Sequence, residues 1–260
     1  MPSTLFRGLV RSGWFLLLCF PFSTVFAGVI ANSALTISNL QIIPSVGSVM
    51  FSGPRDTSAI VSSAFNSLGE NVSDGDFGTG TDVSADATVN FATGHAEASD
   101  SAGTLNVSSG INMGGNNNAA GVAFPGSLAS LSGWFDLVGA IGMLDVTFSM
   151  DVSGMLSGFT DDLGDFETDF IASLDLDGEN VLFLDVALVG GPNFSDVIPQ
   201  FSQSLYATIS LDSDVTHFFN LTAQSEGKGS NMPEPGTMVL SLLALALLYK
   251  TNSKRGRPPA

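Results

Sequence analysis

Cysteine is nearly missing from this 260-residue chain: Cys19, near the N-terminus, is the single one. One thiol cannot form an intrachain disulfide, so stability must come from a packed core or a bound ion. Basic residues are also scarce, eight Lys and Arg against 25 Asp and Glu, and six of the eight lie at the chain ends. Between residues 28 and 232 stand 24 acids and two bases, Arg55 and Lys228, a net charge of −22. A surface so negative repels nucleic acid and anionic membranes, which excludes nucleic acid as a partner. Histidine is limited to His95 and His217, and no His-Glu-x-x-His run, Gly-x-Ser-x-Gly elbow or Walker loop is present. The zinc-hydrolase, serine-hydrolase and nucleotide-triphosphatase signatures are therefore lacking. His217 falls on the inward phase of an alternating stretch and reads as a structural histidine, whereas His95 reads as an exposed turn residue.

What is present is concentrated at the ends. Arg7 and Arg11 precede the apolar stretch 14–22, and Val25-Phe26-Ala27 follows. This pattern describes a secretory signal peptide over residues 1–27, cleaved after Ala27, with Ala31 as the alternative. Signal peptidase and the general secretion machinery are the implied partners. Cys19 follows Leu16-Leu17-Leu18, which is not a lipoprotein context, and it leaves with the signal peptide. The exported chain is then free of thiols in an oxidising compartment.

The C-terminus carries Pro233-Glu234-Pro235, an apolar run over 236–249, and then Lys250, Lys254, Arg255 and Arg257. Proline fixes φ and cannot propagate a helix, so the two prolines hold the junction extended. The basic end resists translocation and stays on the cytoplasmic side, which leaves the preceding chain outside. Fourteen apolar residues reach ~21 Å as a helix, short of the ~30 Å hydrocarbon core. Such a segment suits removal better than permanent anchoring.

These features resemble the PEP-CTERM sorting signal of exopolysaccharide-producing Gram-negative bacteria. The resemblance implies that residues 233–260 are recognised by an exosortase, an integral-membrane enzyme that removes the tail during export. It covers about a tenth of the chain. Two departures are visible: Met232 stands where members often have valine, and Thr251-Asn252-Ser253 interrupts the basic residues.

Between the signals, period-two alternation predicts strands. Leu144, Val146, Phe148, Met150 and Val152 share one face, and Val83, Ala85, Ala87, Val89 and Phe91 repeat the pattern. So do Leu205, Ala207, Ile209 and Leu211, and then Val215, His217, Phe219 and Leu221. Leu35 and Ile37 slip phase to Leu40 and Ile42, which predicts a bulge at Asn39. Asp177-Gly178 predicts a type I′ hairpin that pairs Leu174 with Val181 and Ala172 with Phe183. Val181 to Leu184 is apolar on both faces and reads as a central strand.

The spacing of Ile60, Val61, Ala64, Phe65 and Leu68 predicts a short helix capped by Gly69. Residues 110–126 read as a long loop or a mobile cover and 225–232 as a flexible spacer. The expected fold is mainly β: a single antiparallel β-sandwich of jelly-roll type over 28–224, flanked by the signal peptide and a C-terminal transmembrane sorting helix.

Acids cluster at Asp161, Asp162, Asp165, Glu167, Asp169, Asp175, Asp177 and Glu179. Hard oxygen ligands at this density suit calcium, the one candidate cofactor. The spacing of Ser173, Asp175, Asp177 and Gly178 resembles the opening of an EF-hand loop, but Leu184 falls where the bidentate glutamate belongs. Any such site would be irregular. The leading expectation is a non-enzymatic protein of the cell surface and extracellular matrix, contributing to biofilm or floc structure in contact with polysaccharide. The alternatives are a secreted carbohydrate- or calcium-binding module, with Trp134 and Tyr206 as aromatic candidates, and a secreted hydrolase.

Overall fold

The computed structural model describes residues 28–66, 69–114, 121–161 and 164–231. Apolar side chains at every second position drive one face of each segment out of water. Among the described residues the result is thirteen strands and no helix. In chain order they are β1 (Val29–Pro44), β2 (Ser48–Phe51), β3 (Asp56–Phe65), β4 (Glu70–Thr79), β5 (Val83–Val89), β6 (Ala92–Ser99) and β7 (Thr104–Asn112), followed by β8 (Gly121–Val138), β9 (Met143–Thr160), β10 (Gly164–Leu176), β11 (Glu179–Gly190), β12 (Ser195–Asp212) and β13 (His217–Asn231). They form two antiparallel sheets, one in the order β12-β9-β1-β7-β6-β5 and the other in the order β11-β10-β13-β8-β3-β4, with β2 also pairing β8.

The inner faces pack together. Phe65, Phe135, Phe148, Phe170 and Phe219 are fully buried. Ring pairs cross between the sheets: Phe65 with Phe91 at 4.7 Å, Phe135 with Phe148 at 6.3 Å, and Phe170 with Phe201 at 5.4 Å. Small residues also line the interface and leave room for side chains of the facing sheet. A Cβ added at Gly229 would stand 3.0 Å from the Ile111 side chain and 3.1 Å from Val29. Beside it the buried Ser225 hydroxyl lies 2.8 Å from that of Ser33 and 2.9 Å from that of Ser109, which ties β13 to β1 and β7 of the facing sheet.

Several expectations match. The alternating faces of β5 and β9 point inward, apart from the half-buried Leu144 at the start of β9. Asn39 takes φ 54° at a register shift between Ser38 and Gln41, which returns Leu40 and Ile42 to the core side. Asp177 and Gly178 have φ 52° and 89°, the positive pair a type I′ turn requires.

Others are corrected. The stretch expected as a helix is β3: Thr57, Ala59, Val61, Ser63 and Phe65 point inward, and the two hydroxyl residues in that row disguised the alternation. Ser63 is accommodated because its hydroxyl donates to the Ala87 carbonyl at 3.1 Å. Leu68 lies outside the described residues. The hairpin register is one residue off the expected one, since a shift after Leu174 pairs it with Leu182 and Ala172 with Leu184. Val181 to Leu184 sits in an edge strand, and Phe183 faces solvent. Val215 lies exposed in the turn before β13.

The spacer expected from Ser225 onward is instead the end of β13, paired through Asn231 with both Gly164 and Gly121. Its glycines and serine permit close packing rather than flexibility. The expected loop over 110–126 contracts, because β7 reaches Asn112 and β8 starts at Gly121; residues 115–120 lie outside the description.

The packing predicts a sharp contrast between two phenylalanines. Replacing buried Phe170 by alanine should cost about 3–5 kcal/mol of unfolding free energy. The exposed Phe183→Ala change should stay within about 0.5 kcal/mol. Urea denaturation of both variants checks this.

Candidate functional site

Four of the eight acidic residues singled out above lie on β10, and Glu179 opens β11. Asp165, Glu167, Asp169 and Asp175 take alternate, outward positions of β10. At ~3.4 Å rise per residue, neighbouring carboxylates stand ~7 Å apart along the strand. A strand thus strings them out, where an ion needs them convergent. Asp161 lies just past β9 and accepts from the Gly28 N–H. Asp177 sits in the hairpin turn, and Asp162 lies outside the described residues. Among the described residues no group of three or more His, Cys, Asp or Glu is placed to hold a metal ion.

Asp169 is the exception in environment. Across the register it faces Glu226 of β13, with Glu167 two residues away on its own strand and Asp185 nearby on β11. One carboxylate oxygen is buried without a hydrogen-bond partner. Burial first, then the charges of Glu226, Asp185 and Glu167, hold its carboxyl above the ordinary carboxylate range. It borders a hollow of about 380 Å³ lined also by Phe124, Pro125, Glu226 and Lys228.

Elsewhere the scarcity of bases makes acids rely on neutral donors. Asp136 accepts from Ser52 and Thr216, both at 2.6 Å, and these bonds lower its pKa. Asp151 accepts from Asn39 at 2.7 Å and from Ser204, with the same effect. Asp82 is lowered by the Ser101 backbone N–H and the Ser99 hydroxyl. Arg55 donates from Nε to Asp100 at 2.6 Å and lies 5.8 Å from the Phe51 ring centroid.

His217 is buried, with Nδ1 2.7 Å from Asp177 and Nε2 3.0 Å from the Asp212 carbonyl oxygen. A carbonyl only accepts, so Nε2 carries a proton, and both nitrogens are committed to joining two turns. His95 lies on β6, not in a turn, with Nδ1 2.8 Å from Asp86.

The outward face of the seven-stranded sheet holds residues that the sequence reading missed. Register places Phe183, Ser173, Thr222, Ser130, Ser58 and Phe77 in one transverse row over β11, β10, β13, β8, β3 and β4. A hollow of about 400 Å³ opens at its β3–β4 side, lined by Asp56, Ser58, Phe77, Thr79, Ser130 and Ser132. Trp134 lies on the same face, 53% exposed, its ring 4.8 Å from that of Phe218. Tyr206 belongs to β12 of the other sheet, so the two aromatic candidates do not share a face. The available signal was phenylalanine on the outward phase of a strand.

Ala27, the Pro233-Glu234-Pro235 motif, the apolar run 236–249 and the basic residues Lys250, Lys254, Arg255 and Arg257 lie outside the described residues. No helix among the described residues is long and apolar enough to cross a membrane. In comparisons with known proteins, no family model, no curated protein and no solved structure matches the chain.

Asp169 generates a pH prediction. With the folded pKa raised above the unfolded one, ionising this group costs stability as pH rises through the folded value, and the cost is absent below the unfolded value. Asp169→Asn should therefore melt higher than the parent at neutral pH, and the gap should close as pH falls below the ordinary carboxylate range. A variant no more stable at pH 7 contradicts this account of Asp169.

Proposed function

We propose that this protein is an exported, non-enzymatic component of the cell surface and extracellular matrix, sorted by an exosortase through its C-terminal signal. The order Pro233-Glu234-Pro235, apolar run, basic end is the observation that carries this reading. The acidic two-sheet body supports it. Pro233 follows Asn231, the last described residue of β13, by two positions, so cleavage at Pro233 or beyond leaves every described strand intact. The finer architecture we assign is a jelly-roll-like sandwich. It is supported by the chain passing from one sheet to the other between β8 and β9, β9 and β10, β11 and β12, and β12 and β13.

A non-enzymatic role is favoured over a hydrolase by the state of the histidines. His217 has no free nitrogen to act as a general base, and His95 pairs with an exposed aspartate. In the matrix, a thiol-free acidic body remains soluble by self-repulsion and withstands redox change.

The decisive measurement is the mass of the protein recovered outside the cell. The predicted species begins at Gly28 and ends near Pro233, and it reverts to a terminus at Ala260 when the exosortase is deleted. Exported protein still carrying Arg257 while the peptidase is active contradicts the assignment.

A further inference from the structure

The six-residue row across the outward face of the seven-stranded sheet has a composition unlike its surroundings. Ser173, Thr222, Ser130 and Ser58 put four hydroxyl residues on adjacent strands, and Phe183 and Phe77 close the row at its two ends. Neither phenylalanine serves the core: Phe183 is 56% and Phe77 is 69% exposed. We propose that this row is a binding site for an uncharged polysaccharide laid across the strands. The inference takes its biological setting from the matrix role above and adds the site and the ligand class.

The chemistry fits a sugar chain. Adjacent strands lie ~4.8 Å apart, so the row spans ~24 Å, room for several sugar rings. Pyranose rings offer hydroxyl edges and apolar C–H faces, which match hydroxyl donors and acceptors flanked by aromatic faces. The hydroxyls keep bonding capacity toward solvent. Ser58 and Ser130 lie 2.7 Å apart, so one donates to the other and the second proton remains free for a ligand. Thr222 accepts from Asn220 at 3.2 Å, which leaves its own proton to donate. Because the side chains rise from paired strands, the surface is formed in advance and ordering costs little on binding.

Charge selects the ligand. The row contains no ionisable residue, and the next row holds Asp175, Asn220, Ser132 and Asp56. Carboxylates there accept from neutral sugar hydroxyls and repel uronates, and a net charge of −22 over residues 28–232 adds to that repulsion. Trp134 and Phe218 lie one row further on the same face and extend the aromatic margin.

Affinity electrophoresis of the full chain in mild detergent tests the site, with native gels containing hydroxyethylcellulose, dextran or galactomannan, or alginate as the polyanion. The expected result is retardation by at least one neutral polymer, weakened about fivefold by Phe77→Ala and by Phe183→Ala, the size of one lost aromatic contact. Tyr206→Ala, on the other sheet, should leave it unchanged. Circular dichroism identical to the parent shows that the variants fold. Three results overturn the proposal: no retardation in any neutral gel, retardation indifferent to both phenylalanine changes, or retention by alginate alone, with or without calcium. None of these alters the C-terminal mass of exported protein, so failure here is separable from failure of the sorting assignment.

Discussion

The separation between the two sheets is the dimension on which the rest of the molecule depends. Without disulfides, the inner faces have to meet at van der Waals distance over their whole length to offset the entropy of ordering the chain. Phenylalanine pairs bridge the two inner faces at Phe65–Phe91, Phe135–Phe148 and Phe170–Phe201. Near Ser33, Ser109, Ser225, Gly227 and Gly229 the side chains shrink, Ile111 reaches over the two glycines, and three hydroxyls bond to one another inside the protein. A larger residue there would push the sheets apart and strand polar groups in a dry interior, where an unpaired hydroxyl costs about 1–3 kcal/mol.

A second constraint comes from charge. Arg55 and Lys228 are the only Lys or Arg between residues 28 and 232, so carboxylates find their partners among serine, threonine, asparagine and backbone N–H groups. These contacts fall at connections: Asp136 reaches the segment before β3 and the turn before β13, Asp82 holds the β6–β7 turn, and Asp151 fastens the β1 bulge to β12. Asp169 shows the converse, surrounded by like charge and partly desolvated. The abundance of serine and threonine therefore answers in part to the acids.

Much of the architecture was legible because alternation is a local signal. Val83 through Phe91 and Leu144 through Val152 face the core side as their pattern requires, and Asp177-Gly178 turns as that dipeptide dictates. The failures share a cause. β3 and the end of β13 use Thr57, Ser63, Ser225, Gly227 and Gly229 on inward positions, where small residues satisfy packing across the interface. Nothing local marks them as core. Edge against centre was misread at Val181 to Leu184 because an outward phenylalanine looks the same in sequence whether it is covered or not. The row joining Phe77, Ser58, Ser130, Thr222, Ser173 and Phe183 was invisible for a further reason, since it exists only once six strands from β3 to β13 are in register.

The proposed sorting role sets Pro233-Glu234-Pro235 close behind β13, which is described through Asn231. It requires that β13 be ordered to its end, held by the Ser225 network and by Gly229 against Ile111. Amide hydrogen exchange on the purified protein tests this most directly. The account predicts that residues 225–231 are protected as strongly as their β8 partners over 121–127. Exchange of 225–231 at the rate of an unstructured chain would contradict it.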